Sequence, residues 1–265
     1  MDSNTKHHRY LQNELDFCSL WTESIIWNQS NNTTIKIFFN RKFSDDYFFN
    51  RIHCDKENDI FEAIKFLKEF LTLNGIPGYL YLKTETEDLR KQCKINSINW
   101  IDSIYTLESP PIESKSFTLM NLNKEITVMK INDPLLINKW IAIFCQSFNI
   151  KDRLPFIEIL NKNREKFVFL LAILKENDND NNNIPVGGCL LFEKWGCLGL
   201  YCLGTSPEFR NKGIAKMIIK TSLKIAHTMK HEKIFLHTFE NDNYIEIYKK
   251  FDFNVIDKRK IFQIN

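Results

Sequence analysis

The sequence has no apolar run long enough to cross a bilayer. Its longest, Phe167 to Leu174, falls far short of the roughly 20 residues that a spanning helix needs. The opening Met-Asp-Ser-Asn-Thr-Lys-His-His-Arg-Tyr lacks the apolar core of a secretory signal, so a cytoplasmic location is expected, with export by a signal-independent route left open. There is no Lys/Arg-rich block and no stripe of alternating basic and aromatic residues. A net charge of +3 is too small to argue for nucleic acid, so neither nucleic acid nor a membrane is expected as a partner. The seven cysteines are odd in number and form no CxxC pair. They are expected as buried free thiols in a reducing compartment, without a disulfide framework or a metal site. Glycine is scarce: of 8, only Gly75 and Gly78 precede residue 115.

What is present is ordinary for a folded, soluble chain, with 43 % hydrophobic and 26 % charged residues and an aromatic content carried by 22 Phe. A length of 265 residues favours two domains. The polar stretch from Leu107 to Ser116, with Pro110 and Pro111, reads as a linker and sets the expected boundaries at 1–115 and 116–265. A run of only Asn and Asp, 177–183, reads as a solvated loop.

In the second half, strands are expected at 125–131, 167–174, 186–193, 198–204, 233–239 and in 253–264. Helices are expected at 134–148, 154–160, 212–229 and 243–251. The fold class is therefore α/β, a mixed sheet with helices on its faces. In the first half, strands are expected at 34–39, 78–83 and 97–107, and helices at 59–73 and 85–93. The helix-strand order ending each half is the same. Asn99-Trp100-Ile101-Asp102 follows its helix as Asn254-Val255-Ile256-Asp257 follows the other, which suggests an internal duplication.

The stretch that carries chemistry is Leu203-Gly204-Thr205-Ser206-Pro207-Glu208-Phe209-Arg210-Asn211-Lys212-Gly213-Ile214-Ala215. It follows an apolar strand and opens an amphipathic helix. Such a turn aims backbone N–H groups and the positive end of the helix dipole at one spot, which suits an anion such as pyrophosphate. Gly213 allows close backbone approach, and the small Ala215 allows the first turn to pack tightly. The simpler alternative is a structural strand-turn-helix connection that happens to hold one glycine.

Arg210, Gly213 and Ala215 stand at Q/R-x-x-G-x-G/A spacing, and the stretch resembles the cofactor signature of the GNAT superfamily of acyl-CoA N-acyltransferases. Asn241, Tyr248, Lys250 and Phe253 resemble the family's later N-x-x-A-x-x-x-Y-x-K-x-G-F. Tyr244 replaces its Ala and Asp252 its Gly. About half the chain is covered. The resemblance implies a GNAT fold, with two GNAT-like units in tandem, the first degenerate: Arg51 to Glu57 stands where a cofactor loop would be and holds no glycine.

It further implies acetyl-CoA as co-substrate, no metal, and an amine-bearing acceptor, small molecule or protein, that attacks the thioester directly. Leu203, Gly204, Thr205, Arg210, Asn211, Lys212, Gly213, Ile214, Ala215 and Asn241 would bind the cofactor, with a backbone N–H near Leu203 or Gly204 holding the oxyanion. Tyr248 would protonate the departing thiolate. The strand where many relatives carry a basic Glu has no carboxylate here. Glu193, His237, Glu240 or a water relay remain open as the base. A catalytically silent CoA-binding or interaction module, or a secreted bacterial effector, are the competing readings.

Overall fold

The structure, a computed structural model, describes residues 3–28, 33–44, 46–54, 60–83, 87–110, 125–175 and 183–264. The boundary expected between 115 and 116, and most of the Asn/Asp run, lie outside the described residues. The chain divides into two compact units, both discontinuous in sequence. The larger comprises Met1–Glu14, Leu107–His237 and Glu246–Asn254; the smaller comprises Leu15–Thr106, Thr238–Ile245 and Val255–Asn265.

In the larger unit, β6 (Ile126–Ile131), β7 (Phe167–Lys175), β8 (Asn183–Lys194), β9 (Cys197–Thr205) and β10 (Ile234–Phe239) lie side by side in chain order. The first four form an antiparallel meander, and β10 joins β9 in parallel. A parallel neighbour needs a crossover, and helix α6 (Ile214–Thr228) supplies it. Helix α4 (Pro134–Ser147) starts where the carboxylate of Asp133 accepts from the N–H groups of Leu135 (2.9 Å) and Leu136 (3.1 Å), with Pro134 in the first turn. It buries Ile137, Trp140, Ile141, Phe144 and Cys145. The Trp140 indole lies over Gly188 and donates to the Leu170 carbonyl at 3.0 Å. A Cβ on the adjacent Gly187 would meet Ile214 Cγ2 at 2.8 Å. Adjacent strand residues face opposite ways, so α4 and α6 cover opposite faces of the sheet. Helix α5 (Leu154–Lys162) follows α4.

The smaller unit repeats this plan. Strands β1 (Glu23–Asn28), β2 (Thr34–Phe39) and β3 (Arg51–Cys54) form an antiparallel meander, and after helix α2 (Ile60–Asn74) strand β4 (Gly78–Leu82) pairs with β3 in parallel. Ile35, Ile52, Ile60, Leu67 and Leu80 form its fully buried centre. After α3 (Glu87–Ile95) comes β5 (Ile98–Ser109), but the chain's last strand, β11 (Asn254–Ile264), is inserted between β4 and β5, antiparallel to β4. The duplicated Asn-Trp/Val-Ile-Asp stretches both lie at the start of these last strands.

Several elements differ from expectation. Helix α1 (Ser3–Ser19) and strands β1 and β3 were not anticipated. The expected linker begins later, because β5 continues to Ser109, whose hydroxyl donates to the Phe251 carbonyl at 3.1 Å. The expected helix 243–251 shrinks to α7 (Ile245–Lys249), since Asn243 (φ +58°) and Asp252 (φ +60°) take left-handed conformations on either side. In α6, Lys220 and Ser222 occupy buried positions, whereas Ile225 of the expected stripe is only half-buried. No helix among the described residues is long and apolar enough to cross a membrane.

Candidate functional site

The site begins with a defect in β9. Gly188 pairs with Gly204, but Leu190 pairs with Tyr201, so Cys202 and Leu203 together oppose Cys189. This is a bulge, and Cys202 supplies its left-handed residue at φ +54°. Bulges redirect backbone groups away from the ladder, and this one falls at the segment expected to offer an oxyanion donor. Half-exposed Phe148, at the end of α4, lies against the same place. A Cβ on Gly204 would meet its Cε2 at 3.1 Å and Ser147 Cβ at 2.8 Å.

Beyond β9 the chain is held by backbone bonds: the Ser206 N–H donates to the Val186 carbonyl at 2.9 Å and the Phe209 N–H to the Ser206 carbonyl at 2.9 Å. The Arg210 guanidinium turns back, donating to the carbonyls of Ser147 (2.8 Å) and Thr205 (3.4 Å). It thereby fixes the loop to α4 and β9. Asn211 (φ +63°) and Gly213 (φ +81°) then swing the chain into α6. No side chain caps this helix, and its first turn carries no acidic residue. The first-turn N–H groups are thus without a capping side chain, in the arrangement that favours an anion. No described atom lies within 4 Å of where a Cβ on Gly213 would project. Lys212 Nζ sits 5.0 Å from the Phe209 ring. Ile214 is buried against Gly187, so only its backbone can serve a ligand.

Tyr248 is 9 % exposed on α7, its ring 6.1 Å from that of Phe253. Its carbonyl accepts from the N–H groups of Phe251 (2.9 Å) and Phe253 (3.3 Å), closing the turn in which Asp252 takes the left-handed place. A glycine suits that place, which explains the family's Gly and the tolerance of Asp.

The base candidates separate. Glu193 is about half exposed and pairs with His231 Nε2 at 3.1 Å. Among the described residues, no three His, Cys, Asp or Glu side chains converge as a metal site requires. The His237 side chain is 5 % exposed, its Nε2 3.5 Å from a Glu14 carboxylate oxygen. Its position is informative: β10 pairs with β9 only from Ile234–Leu198 to Leu236–Leu200, so His237 is the first residue past the ladder, level with Tyr201 and the onset of the bulge. Glu240 and Asn241 belong to the smaller unit. Lys258 (2.9 Å) and Tyr105 (2.7 Å) donate to Glu240, and chiefly the Lys258 bond holds its carboxyl down at about 2. A group so acidic is a poor proton acceptor near neutrality. Asn241 is engaged with β5, its backbone N–H on Asp102 (3.2 Å) and its amide on the Ile101 carbonyl (3.3 Å). Glu14, on an unanticipated helix, is a group beside His237 that sequence reasoning missed.

Residues 136–253 match the sequence model of the acetyltransferase (GNAT) family. The class of chemistry that goes with it is acyl transfer. No curated protein sequence matches the chain. Among solved structures, a GCN5-related N-acetyltransferase from Sphaerobacter thermophilus is similar at 11 % identity and a TM-score of 0.70, over 91 % of this chain and 80 % of that one. A second, from Kribbella flavida, is similar at 11 % identity and a TM-score of 0.68, over 97 % and 94 %. A tandem GNAT protein from the clavulanic acid biosynthesis pathway is similar at 8 % identity and a TM-score of 0.64, over 92 % and 83 %. At such identities the likeness is one of fold, and the fold is the GNAT fold in tandem.

Proposed function

We propose that the chain is an acetyl-CoA-dependent N-acetyltransferase that moves an acetyl group to a primary amine. The observation that carries this reading is the left-handed Gly213, open on its ligand side, at the uncapped start of α6 just past a bulged strand. Backbone N–H groups of residues 211–215 bind the pyrophosphate, and Arg210 keeps the loop in shape. Leu203, Gly204 and Thr205 line the path of the pantetheine arm. A backbone N–H at the bulge holds the oxyanion that forms as the amine attacks the thioester carbon. The C–N bond forms, the C–S bond breaks, and the Tyr248 phenol gives its proton to the departing sulfur. The phenol regains a proton from the nitrogen as the amide forms. The acceptor enters as an ammonium with a pKa of about 10 and must first lose a proton. Of the side chains considered, His237 fits this task best, since Glu193 lies half-exposed beside His231 and Glu240 is held as a weak base.

The lack of any carboxylate on β9 favours a second reading, a CoA-binding module without turnover. Thiol release from acetyl-CoA, followed against a panel of primary amines, separates the two. Amine-dependent release is expected. Tight CoA binding with no release for any amine would support the silent module.

A further inference from the structure

Helix α1 brings a buried carboxylate to the acyltransferase unit, and its surroundings fix where it points. Asn13 is wholly buried; its amide donates to the carbonyls of Phe192 (3.3 Å), Lys194 (3.2 Å) and Cys197 (3.2 Å), and its oxygen accepts from the Tyr201 hydroxyl at 2.9 Å. These bonds fasten α1 to the β8–β9 hairpin at one turn. One turn earlier, Tyr10 stacks on Phe235 at 4.6 Å and donates to Glu108 at 2.7 Å. Glu14, the next residue after Asn13, is 0 % exposed and faces His237. A carboxylate is costly to bury, by several kcal/mol, unless a partner offsets the cost, so a purely structural position would favour an apolar residue.

We infer that Glu14 is a positioning residue for the reaction: it orients His237 and stabilises the imidazolium formed when His237 takes the proton of the acceptor ammonium. This deepens the acetyltransferase reading and rests on it. With Nε2 turned to Glu14, Nδ1 takes the proton, R–NH3+ becomes R–NH2, and the nitrogen lone pair attacks the thioester. The proton on the imidazolium passes to water after turnover, so the sum is ammonium and acetyl-CoA giving amide, CoA thiol and one proton. The 3.5 Å separation is longer than a hydrogen bond and shortens naturally once the imidazole is charged. The ring of Tyr201, an ionisable group tied to Asn13, lies 6.1 Å from that of His237, and the nearby Tyr10 is tied to Glu108, which Lys233 meets at 3.7 Å.

The test is the pH profile of kcat/KM for one fixed amine, so that the amine's own ionisation cancels between variants. A negative charge this close favours the protonated ring, so its removal shifts protonation downward. In Glu14→Gln the acid limb is expected to move to lower pH by about one unit or more, with roughly tenfold loss on the plateau and unchanged KM for acetyl-CoA. Glu14→Asp should restore most of the limb's position. A Gln variant with lower activity but an unmoved limb would overturn the inference, since lost packing alone does not shift a titration. Should Glu14→Gln melt below the assay temperature, His237→Gln decides: the acid limb vanishes if His237 accepts the proton and persists if water does. Wild-type protein with no amine-dependent thiol release at any pH would remove the acetyltransferase reading itself. An active wild type whose limb ignores Glu14 removes only this inference.

Discussion

Left-handed residues do separate jobs in this chain. Gly213 turns the chain into α6 with no Cβ at the proposed anion site, Cys202 bends β9, and Asp252 closes the turn behind Tyr248. Tyr248→Phe keeps the ring against Phe253 and removes only the hydroxyl assigned to the thiolate. Turnover and kcat/KM should fall together by about tenfold to a hundredfold, the low end for general acid catalysis because a thiolate already leaves well. Steady-state kinetics beside a thermal melt check this, and unchanged turnover would leave Tyr248 a packing residue. Glu240 offers a pH test that reads stability rather than turnover. Its carboxyl sits at about 2, mainly through Lys258, against about 4.3 when unfolded. Its charge therefore adds stability above the unfolded value, and that stability is lost as pH falls from there through 2. Lys258→Met should lower the melting temperature slightly at pH 6 and make it fall less between pH 5 and 2; the pair is partly exposed, so the effect is small.

Among the elements, α4 and β8 show how closely the sheet is covered. A Cβ on Gly188 would meet the Trp140 ring and lie 2.7 Å from the Leu170 carbonyl that accepts the indole N–H. Gly188→Ala should destabilise the chain by about 1–3 kcal/mol through overpacking, read as a shift in the urea midpoint at constant slope. A normal midpoint would mean that Trp140 can move aside. The sequence made α4 and α6 legible because their buried faces are mostly apolar at helical spacing. Helix α1 has the same spacing in Tyr10, Asn13, Glu14, Phe17 and Cys18, all buried, but two of the five are polar and break the apolar pattern. Those two polar residues fasten the hairpin and face His237. Strand β3 was hidden for another reason: Arg51, wholly buried, lies 4.0 Å from the Tyr81 ring, where an apolar residue would have revealed the strand.

For the whole molecule, the strand-turn-helix connection at Gly213 was legible because an apolar strand precedes it and an amphipathic helix follows it. The bulge was not, because a Cys at a left-handed position leaves no signature. The place of β11 in the smaller unit was not legible either, because the sequence shows that a strand ends the chain but not which sheet receives it. Two units with one plan and one glycine-bearing loop predict one cofactor site per chain. Titration calorimetry with CoA tests this most directly, on the native protein and on Gly213→Asp. The native chain should bind one equivalent. The variant should melt within a few degrees of it, because the added side chain enters open space and Asp tolerates the left-handed conformation at about 1 kcal/mol. It should show no measurable binding, since a carboxylate then stands where the pyrophosphate must approach. Near-native affinity in Gly213→Asp, or two equivalent sites in the native chain, would contradict the account.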